Sequence, residues 1–153
     1  MIANNHGMVV TVSSVAAFAT LPNMVDYAAS KAAAHSFHEG LTAELKTRYN
    51  APRVRTVVVN PGYTKTLLFS GYDTGSKFLF PPLHPETVAE AIVKKVISGS
   101  SGQVILPLLG NIVTALRAVP HFVQLSTRAD PKQMDGFHGR QVVDVEKDYR
   151  IKH

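Results

Sequence analysis

The chain has 153 residues, of which 45% are hydrophobic and 18% are charged, and its formal net charge is +5. This composition is typical of one folded domain, and the lack of cysteine excludes disulfides and cysteine-ligated metal sites. The positive charges are scattered, without a basic block interleaved with aromatic residues, which favours a solvated surface over a site for nucleic acid. The first residues do not have a secretory signal pattern, and no run of about 18 apolar residues predicts a membrane-spanning helix.

Three short apolar runs predict the strands of one sheet. They are Met8 to Val12, Val54 to Val59 and Gly102 to Leu106. The first has no polar face, which is typical of a strand that is covered on both sides, and the apolar run of the second also indicates burial. Because helical patterns separate the runs, the order strand, helix, strand, helix, strand predicts an α/β fold with a parallel sheet.

Two helices are predicted between these strands. The first has Asp26 as its N-cap and continues from Tyr27 to about Tyr49. Its recurring apolar residues are Ala28, Ala32, Phe37, Leu41 and Leu45, and its small residues Ala29, Ala32, Ala33 and Ala34 allow a sheet or a partner helix to approach closely. The second helix begins at Pro85, a residue favoured at the first helical position, and ends at Gly99.

The remaining segments predict how the chain is divided. Asn60-Pro61-Gly62 is expected to end the second strand, and the irregular stretch from residue 63 to 83 predicts a long functional loop. After Pro107 the apolar residues follow helical spacing, and the charged stretch from Ser126 to His153 predicts a poorly ordered tail. We therefore expect a catalytic domain over residues 1–107 and a C-terminal extension over residues 108–153, formed by an apolar helix and this tail.

Tyr27 and Lys31 are the first candidates for chemistry. They are four residues apart at a helix start, so their side chains share one face. A phenol ordinarily holds its proton at neutral pH, and a nearby cation stabilises the phenolate, which can then exchange a proton with an alcohol or carbonyl oxygen. Ser14, at the carboxyl end of the preceding strand, lies where open parallel sheets bind ligands.

A Tyr-x-x-x-Lys pair alone is weak evidence, and the order of several features makes it specific. Ser14 stands thirteen residues before Tyr27, Lys31 follows in a helix of small residues, and Asn60-Pro61-Gly62 follows the next buried strand. This combination, from Gly7 to about Leu106, resembles the short-chain dehydrogenase/reductase family. The apolar stretch from Leu108 to Leu125 resembles the C-terminal extensions of the retinol and hydroxysteroid dehydrogenases within it.

The resemblance implies a role for each matching residue. Tyr27 would be the acid/base, Lys31 would support its phenolate and bind the nicotinamide ribose, and Ser14 would orient the substrate oxygen. Pro61, Gly62 and the backbone of Thr64 would face the nicotinamide of NAD or NADP, and Thr66 would contact its carboxamide or phosphates. The loop from Leu67 to Leu83 would cover the substrate, an apolar alcohol or ketone of retinoid, steroid or lipid type.

The sequence departs from the family in its first part. The family's glycine-rich cofactor motif, Gly-x-x-x-Gly-x-Gly, does not occur in the chain. The resemblance therefore implies a partial doubly wound sheet, the C-terminal half of a Rossmann-type domain, with weak or no binding of a dinucleotide. The alternative to an oxidoreductase is a truncated, inactive fragment, or a remnant that dimerises or binds a lipid surface.

Weaker patterns give further expectations. His35 and His38 are one turn apart, but no third metal ligand accompanies them, so a surface or interface role is favoured. The resemblance implies a homodimer through the helix from Tyr27 to Arg48. The apolar stretch from Leu108 to Leu125 is compatible with contact with a membrane or lipid droplet, with a cover over the substrate cleft, or with packing on the sheet. We expect an intracellular protein, cytoplasmic or peripheral on the endoplasmic reticulum or lipid droplets.

Overall fold

The computed structural model of the chain describes residues 1–66 and 81–128. In this part of the chain, three parallel strands form one sheet in the order β1-β2-β3. The strands are β1 (Gly7–Val12), β2 (Val54–Pro61) and β3 (Gly102–Leu106). The predicted α/β fold with a partial, parallel Rossmann-type sheet is confirmed.

The central strand β2 is the most buried element. The side chains of Val57 and Val59 have 0% exposure, because β2 has a neighbouring strand on each side and helices pack on the sheet. The strand also runs two residues further than predicted. Asn60 and Pro61 pair with β3 and the strand ends at Pro61, so Asn60-Pro61-Gly62 ends the strand as expected. Pro61 is tolerated because it is the last residue of the strand.

The helices α1 (Val25–Thr47) and α2 (Pro85–Ile97) connect the strands. Helix α1 has Met24 at its N-cap, and Asp26 lies in its first turn, so the prediction that Asp26 is the N-cap was wrong. A carboxylate in the first turn still interacts favourably with the helix dipole. Helix α2 begins at Pro85 as predicted, and Gly99 has a φ of +63°, the conformation that favours glycine after a helix.

The buried face of α1 is partly polar, which the apolar pattern did not predict. Ala28, His38 and Leu45 are its buried residues, whereas Phe37 is 68% exposed. The buried face contains polar side chains because they bond to the sheet: Thr42 Oγ1 donates to Thr56 Oγ1 at 3.0 Å. The assignment of Phe37 to the packed face was therefore wrong.

The C-terminal segment, residues 107–128, contains two short helices rather than the one expected. They are α3 (Gly110–Ala115), which continues into a 3-10 turn at Leu116–Ala118, and α4 (His121–Arg128). The tail was expected to begin at Ser126, but Ser126 to Arg128 are helical, so that boundary was wrong. Residues 129–153, and residues 67–80 of the expected lid, lie outside the described residues. The division at residue 107 stays a prediction.

Candidate active site

Ser14 lies directly after β1, at the carboxyl edge of the sheet. Its Oγ accepts a hydrogen bond from the Ala16 N–H at 3.2 Å and donates one to the Pro61 carbonyl at 3.2 Å. It is the N-cap of a 3-10 turn at Val15–Ala17, which we call the serine turn. The hydroxyl is thus held between the ends of β1 and β2, at the edge of the sheet where both parallel strands end.

Tyr27 and Lys31 lie beside this edge because α1 begins there. The Lys31 Nζ is 5.7 Å from the centroid of the Tyr27 ring, within the range of a cation–π contact. The same Nζ donates to the Val12 carbonyl at 3.1 Å, at the end of β1. Both side chains are half-buried. The structure therefore brings the ammonium to both the phenol and the strand end that precedes Ser14.

Ser13 supports the site structurally, a role that the sequence patterns did not predict. It is 1% exposed, and its Oγ donates to the Lys31 carbonyl at 2.8 Å. Its backbone N–H donates to the Val59 carbonyl at 2.8 Å. Ser13 thus ties the first turns of α1 to the sheet, and only its position beside Ser14 signals this in the sequence.

The end of β2 is packed tightly against the end of β3. The Gly62 N–H donates to the Leu106 carbonyl at 2.6 Å, and a Cβ on Gly62 would lie 3.1 Å from that oxygen and 3.2 Å from Pro107 Cδ. Glycine is needed for this approach. Since its N–H is already bonded, any contact of Gly62 with a ligand must use other atoms. The Pro61 carbonyl is likewise occupied by Ser14.

Asn60 carries a buried amide at this edge. Its side chain is 0% exposed, and neither Nδ2 nor Oδ1 has a hydrogen-bond partner within residues 1–66 and 81–128. A buried amide without partners is unfavourable.

Thr64 and Thr66 lie after the end of β2, where the chain leaves the sheet. The backbone at Thr64 forms an isolated parallel bridge with Leu83, supported by Lys65 N–H to Leu83 O at 2.9 Å. Thr64 Oγ1 donates to the Gly62 carbonyl at 3.1 Å. Thr66 is exposed and is the last residue described before residue 81. The backbone at residues 64–65 therefore lies beside the backbone at residue 83, close to the site.

The two histidines of α1 have structural contacts. His38 is buried and its Nδ1 lies 3.0 Å from Thr11 Oγ1, so the expectation of a surface role is wrong for His38. Burial lowers the pKa of His38 below its ordinary value, the charge of His35 lowers it further, and Glu39 partly opposes this. His35 Nε2 lies 3.5 Å from Glu39 Oε1. In the described part of the chain, no three His, Cys, Asp or Glu residues are grouped for a metal ion.

These groups together are suited to proton exchange with an oxygen atom. The Lys31 ammonium lies near the Tyr27 ring and bonds the end of β1, and the Ser14 hydroxyl lies at the same carboxyl edge of the parallel sheet, the edge at which such sheets bind ligands. In general, an ammonium near a phenol favours the phenolate, and a hydroxyl can form a hydrogen bond to the oxygen that exchanges a proton with it.

Comparison with known proteins gives one consistent result. The family model described as short chain dehydrogenase matches residues 1–76. The chain is 54% identical over 59 residues to "Dehydrogenase RED2" of Cochliobolus heterostrophus, which covers 39% of this chain and 22% of the relative. It is 37% identical over 97 residues to human "Epidermal retinol dehydrogenase 2", covering 63% of this chain and 31% of the relative.

A solved structure supports the fold. The chain matches a short chain dehydrogenase from Burkholderia cenocepacia in complex with NADP with a TM-score of 0.59 and 26% identity, over 85% of this chain and 50% of that one. The chain therefore spans half or less of the length of these relatives.

No helix within residues 1–66 and 81–128 is both long enough and apolar enough to cross a membrane.

Proposed function

Because this chain belongs to the short-chain dehydrogenase/reductase family, we propose that it carries the proton-transfer groups of an oxidoreductase. The reaction moves a hydride between NAD or NADP and a secondary alcohol or ketone. The observation that carries the proposal is the position of Lys31 Nζ, 5.7 Å from the Tyr27 ring and bonded to the strand end that precedes Ser14.

Tyr27 exchanges the proton. In alcohol oxidation its phenolate oxygen accepts the hydroxyl proton as the alcohol becomes a ketone; a bound nicotinamide would supply the acceptor for the carbinol hydrogen and its electron pair. Ketone reduction is the reverse: the phenol donates its proton to the carbonyl oxygen as that oxygen becomes an alcohol. Lys31 stabilises the phenolate, which is the form of Tyr27 before alcohol oxidation and after ketone reduction.

Ser14 orients the substrate oxygen, and its present hydrogen bonds restrict how. Its single hydroxyl proton points to the Pro61 carbonyl. A ketone oxygen is a hydrogen-bond acceptor and has no proton to donate. To bind a ketone, Ser14 must therefore turn its hydroxyl proton from the Pro61 carbonyl to the ketone oxygen. An alcohol can instead donate its own proton to Ser14 Oγ, which leaves the bond to Pro61 intact.

The residues present fit the nicotinamide end of such a cofactor, which supplies or accepts the hydride. Lys31 would bind the ribose, and Pro61, Gly62 and the Thr64 backbone would lie along the ring. Gly62 suits this place because a Cβ there would be crowded, 3.1 Å from the Leu106 carbonyl oxygen and 3.2 Å from Pro107 Cδ. Thr66 is assigned to the carboxamide or phosphates. The glycine-rich Gly-x-x-x-Gly-x-Gly motif does not occur in the chain, so no other residue is assigned to the diphosphate.

We propose an apolar substrate of retinoid, steroid or lipid type. One support is the similarity to human epidermal retinol dehydrogenase 2, with which the chain shares 37% identity over 97 residues. The other is the apolar C-terminal segment, whose Gly110 packs next to Val15, the residue after Ser14.

The test is turnover of the purified chain with NAD and NADP, on a panel of retinoid, hydroxysteroid and long-chain secondary alcohols and ketones. The proposal predicts activity that requires Tyr27, and turnover that survives Tyr27→Phe contradicts it. Calorimetry that measures the binding of both cofactors distinguishes the oxidoreductase from the alternative of an inactive fragment. Measurable binding of NAD(H) or NADP(H) counts against that alternative, whereas no binding and no turnover support it.

A second candidate function is binding to a lipid surface. Leu108 is 81% exposed, Phe122 is 73% exposed, and Ile112 and Leu125 are exposed as well. Residues 91–128 contain no Asp or Glu, which suits an anionic lipid surface. On this candidate the protein is peripheral on the endoplasmic reticulum or lipid droplets rather than free in the cytoplasm.

Flotation with phosphatidylserine-containing liposomes tests this candidate. Leu108→Ser together with Phe122→Ser should abolish flotation. The matched control is Val93→Ser together with Ile97→Ser, which removes two exposed apolar side chains from α2 and should leave flotation unchanged. Equal flotation of all three proteins contradicts lipid binding through this segment.

The exposed side of α1 fits a second copy of the chain. Phe37 is exposed on the helix that runs from Val25 to Thr47, and a Cβ on Gly40 would meet nothing within 4 Å. We propose a homodimer through this helix, as expected for the Tyr27–Arg48 stretch. Sedimentation of wild type and Phe37→Glu tests it: the proposal predicts a dimer that the substitution dissociates.

A further inference from the structure

The position of Ser14 depends on the serine turn that it begins. Ser14 Oγ accepts from the Ala16 N–H, and the Ser14 carbonyl accepts from the Ala17 N–H at 3.0 Å. The Val15 carbonyl accepts from the Phe18 N–H at 3.0 Å. Because the hydroxyl caps the turn, a displacement of the turn moves the hydroxyl relative to Tyr27.

The other end of the serine turn is held from a distant part of the sequence. Arg117 Nη2 donates to the Ala17 carbonyl at 2.5 Å, and its Nε donates to the Phe18 carbonyl at 3.4 Å. Arg128 Nη2 adds a contact to the Phe18 carbonyl at 3.5 Å. Carbonyls at the end of a helical turn carry partial negative charge, so a guanidinium with two donors suits them well.

The segment that carries Arg117 is itself fixed on the sheet. A Cβ on Gly110 would lie 2.8 Å from Ile105 Cγ2 and 3.7 Å from Val15 Cγ1, so α3 packs close to β3 and to the serine turn. Gln124 Nε2 donates to the Val119 carbonyl at 2.8 Å and to the Arg117 carbonyl at 3.5 Å. These contacts fix the backbone from which the Arg117 side chain extends.

We propose that Arg117 is a positioning residue: its guanidinium holds the carbonyl end of the serine turn, and through the turn it holds the Ser14 hydroxyl at the place where the substrate oxygen is bound. The catalytic meaning rests on the proposed function, whereas the restraint on the turn does not. Arg117 does not touch the reacting atoms. Its loss therefore changes the order of the serine turn first, and the rate of the chemical step in consequence.

Arg55 provides a matched control. Its Nε donates to the Gly99 carbonyl at 3.1 Å and its Nη1 to the Pro52 carbonyl at 3.2 Å, so it too bonds two backbone carbonyls. It does so near the start of β2, at the end of the sheet opposite Ser14. Arg55→Met removes the same kind of interaction from a place that has no contact with the serine turn.

The first experiment measures amide hydrogen exchange in the full chain, with no cofactor. In Arg117→Met, the amides of Ala16, Ala17 and Phe18 should exchange roughly tenfold faster or more, since charged hydrogen bonds to the turn are lost. The amides of β2 should keep their protection, and Arg55→Met should leave the serine turn unchanged. Unchanged exchange in the turn overturns the proposal. Equal loss of protection in β2 also overturns it, because Arg117 would then stabilise the whole fold.

The second experiment measures the catalytic consequence on the substrate that the panel identifies. Arg117→Ala should lower kcat about tenfold or more with little change in the KM for the cofactor. The kcat of Arg117→Lys should lie between those of wild type and Arg117→Ala. Added guanidinium should restore part of the Arg117→Ala rate. An unchanged kcat, or a loss seen only in the cofactor KM, overturns the positioning role. If the wild type shows no turnover, the proposed function fails, and the exchange experiment alone decides whether Arg117 orders the turn.

Discussion

The central strand β2 and the C-terminal segment (residues 107–128) both contact residues around Ser14, but they are built differently. Val57 and Val59 of β2 are fully buried and the strand is paired on both sides. In the C-terminal segment, large apolar side chains such as Leu108, Ile112 and Phe122 are exposed. The segment contacts the site through Gly110 beside Val15 and through the arginines on the serine turn.

This difference separates two tasks. The strand ends hold Ser14, Lys31 and the backbone at Gly62 through hydrogen bonds to the last carbonyls of β2, β1 and β3, respectively. The C-terminal segment adds a restraint from a surface element that contributes little to the core. We therefore expect substitutions near β2 to change stability or chemistry strongly, and substitutions on the outer face of the C-terminal segment to change neither.

Between these two regions, the largest effect is expected at Ser14, on the sheet side of the site. Ser14→Ala removes the hydrogen bond to the substrate oxygen, and kcat should fall roughly 100-fold, as for the loss of one preorganised donor. Val12→Ala is a suitable control because Val12 is 49% exposed and its side chain is not part of the proposed chemistry. Steady-state kinetics measures both, and equal rates for Ser14→Ala and wild type would remove Ser14 from the mechanism.

The core of β2 should give the next largest effect. Val59→Ala leaves a cavity in a fully buried position and should lower the free energy of unfolding by roughly 2 kcal/mol. Val93→Ala, at an exposed position of α2, should change it by no more than about 0.5 kcal/mol. Urea denaturation measures both values. Similar losses in the two variants would show that β2 does not dominate the stability.

The contact between the two regions should be sensitive to size. Gly110→Ala places a methyl group 2.8 Å from Ile105 Cγ2, so α3 must shift, and we expect a loss of about 1 kcal/mol in the free energy of unfolding. The control is Ile112→Ala, an exposed position on the same helix, which should be nearly neutral. Neutral behaviour of Gly110→Ala would show that α3 is free to move away from the sheet.

A smaller effect is expected from pH, through His38 between α1 and β1. Its folded-state pKa is lowered below 6.5 by burial first and by His35 second, with Glu39 opposing, so the unfolded state binds the proton more readily. Its contribution is fully present above about pH 6.5 and is lost as the pH falls below that value toward the folded-state pKa. Denaturation from about pH 7 to about pH 5 should show this loss. His38→Gln should weaken it, and an identical pH profile for the variant would contradict the assignment.

Much of the fold could be predicted because local patterns specify it. The run from Val54 is apolar on both faces, and Pro85 and Gly99 mark the ends of α2. The inward face of α1 could not be predicted from apolarity. It includes His38, bonded to Thr11, and it leaves Phe37 exposed, since hydrogen bonds to the sheet set the helix phase there.

The site was predictable in part for a similar reason. Open parallel sheets bind ligands at the carboxyl ends of their strands, so the position of Ser14 after the first strand indicated that edge, and the sequence order of Ser14, Tyr27, Lys31 and Asn60-Pro61-Gly62 indicated the family. The bond from Ser13 to the Lys31 carbonyl needs the three-dimensional approach of α1 to the sheet. Arg117 is 100 positions from Ala17, and no periodicity or turn pattern connects residues so far apart.

Transfer of deuterium from a carbinol-deuterated alcohol to the nicotinamide tests the central claim most directly. Tyr27→Phe keeps the aromatic ring and removes the acid/base, and the matched control is Tyr49→Phe, since the Tyr49 ring lies 5.7 Å from the Arg48 guanidinium, at the same separation as Tyr27 from Lys31. We predict that wild type and Tyr49→Phe transfer deuterium at similar rates and that Tyr27→Phe is slower by about 1000-fold. Deuterium transfer by Tyr27→Phe at the wild-type rate would contradict the account.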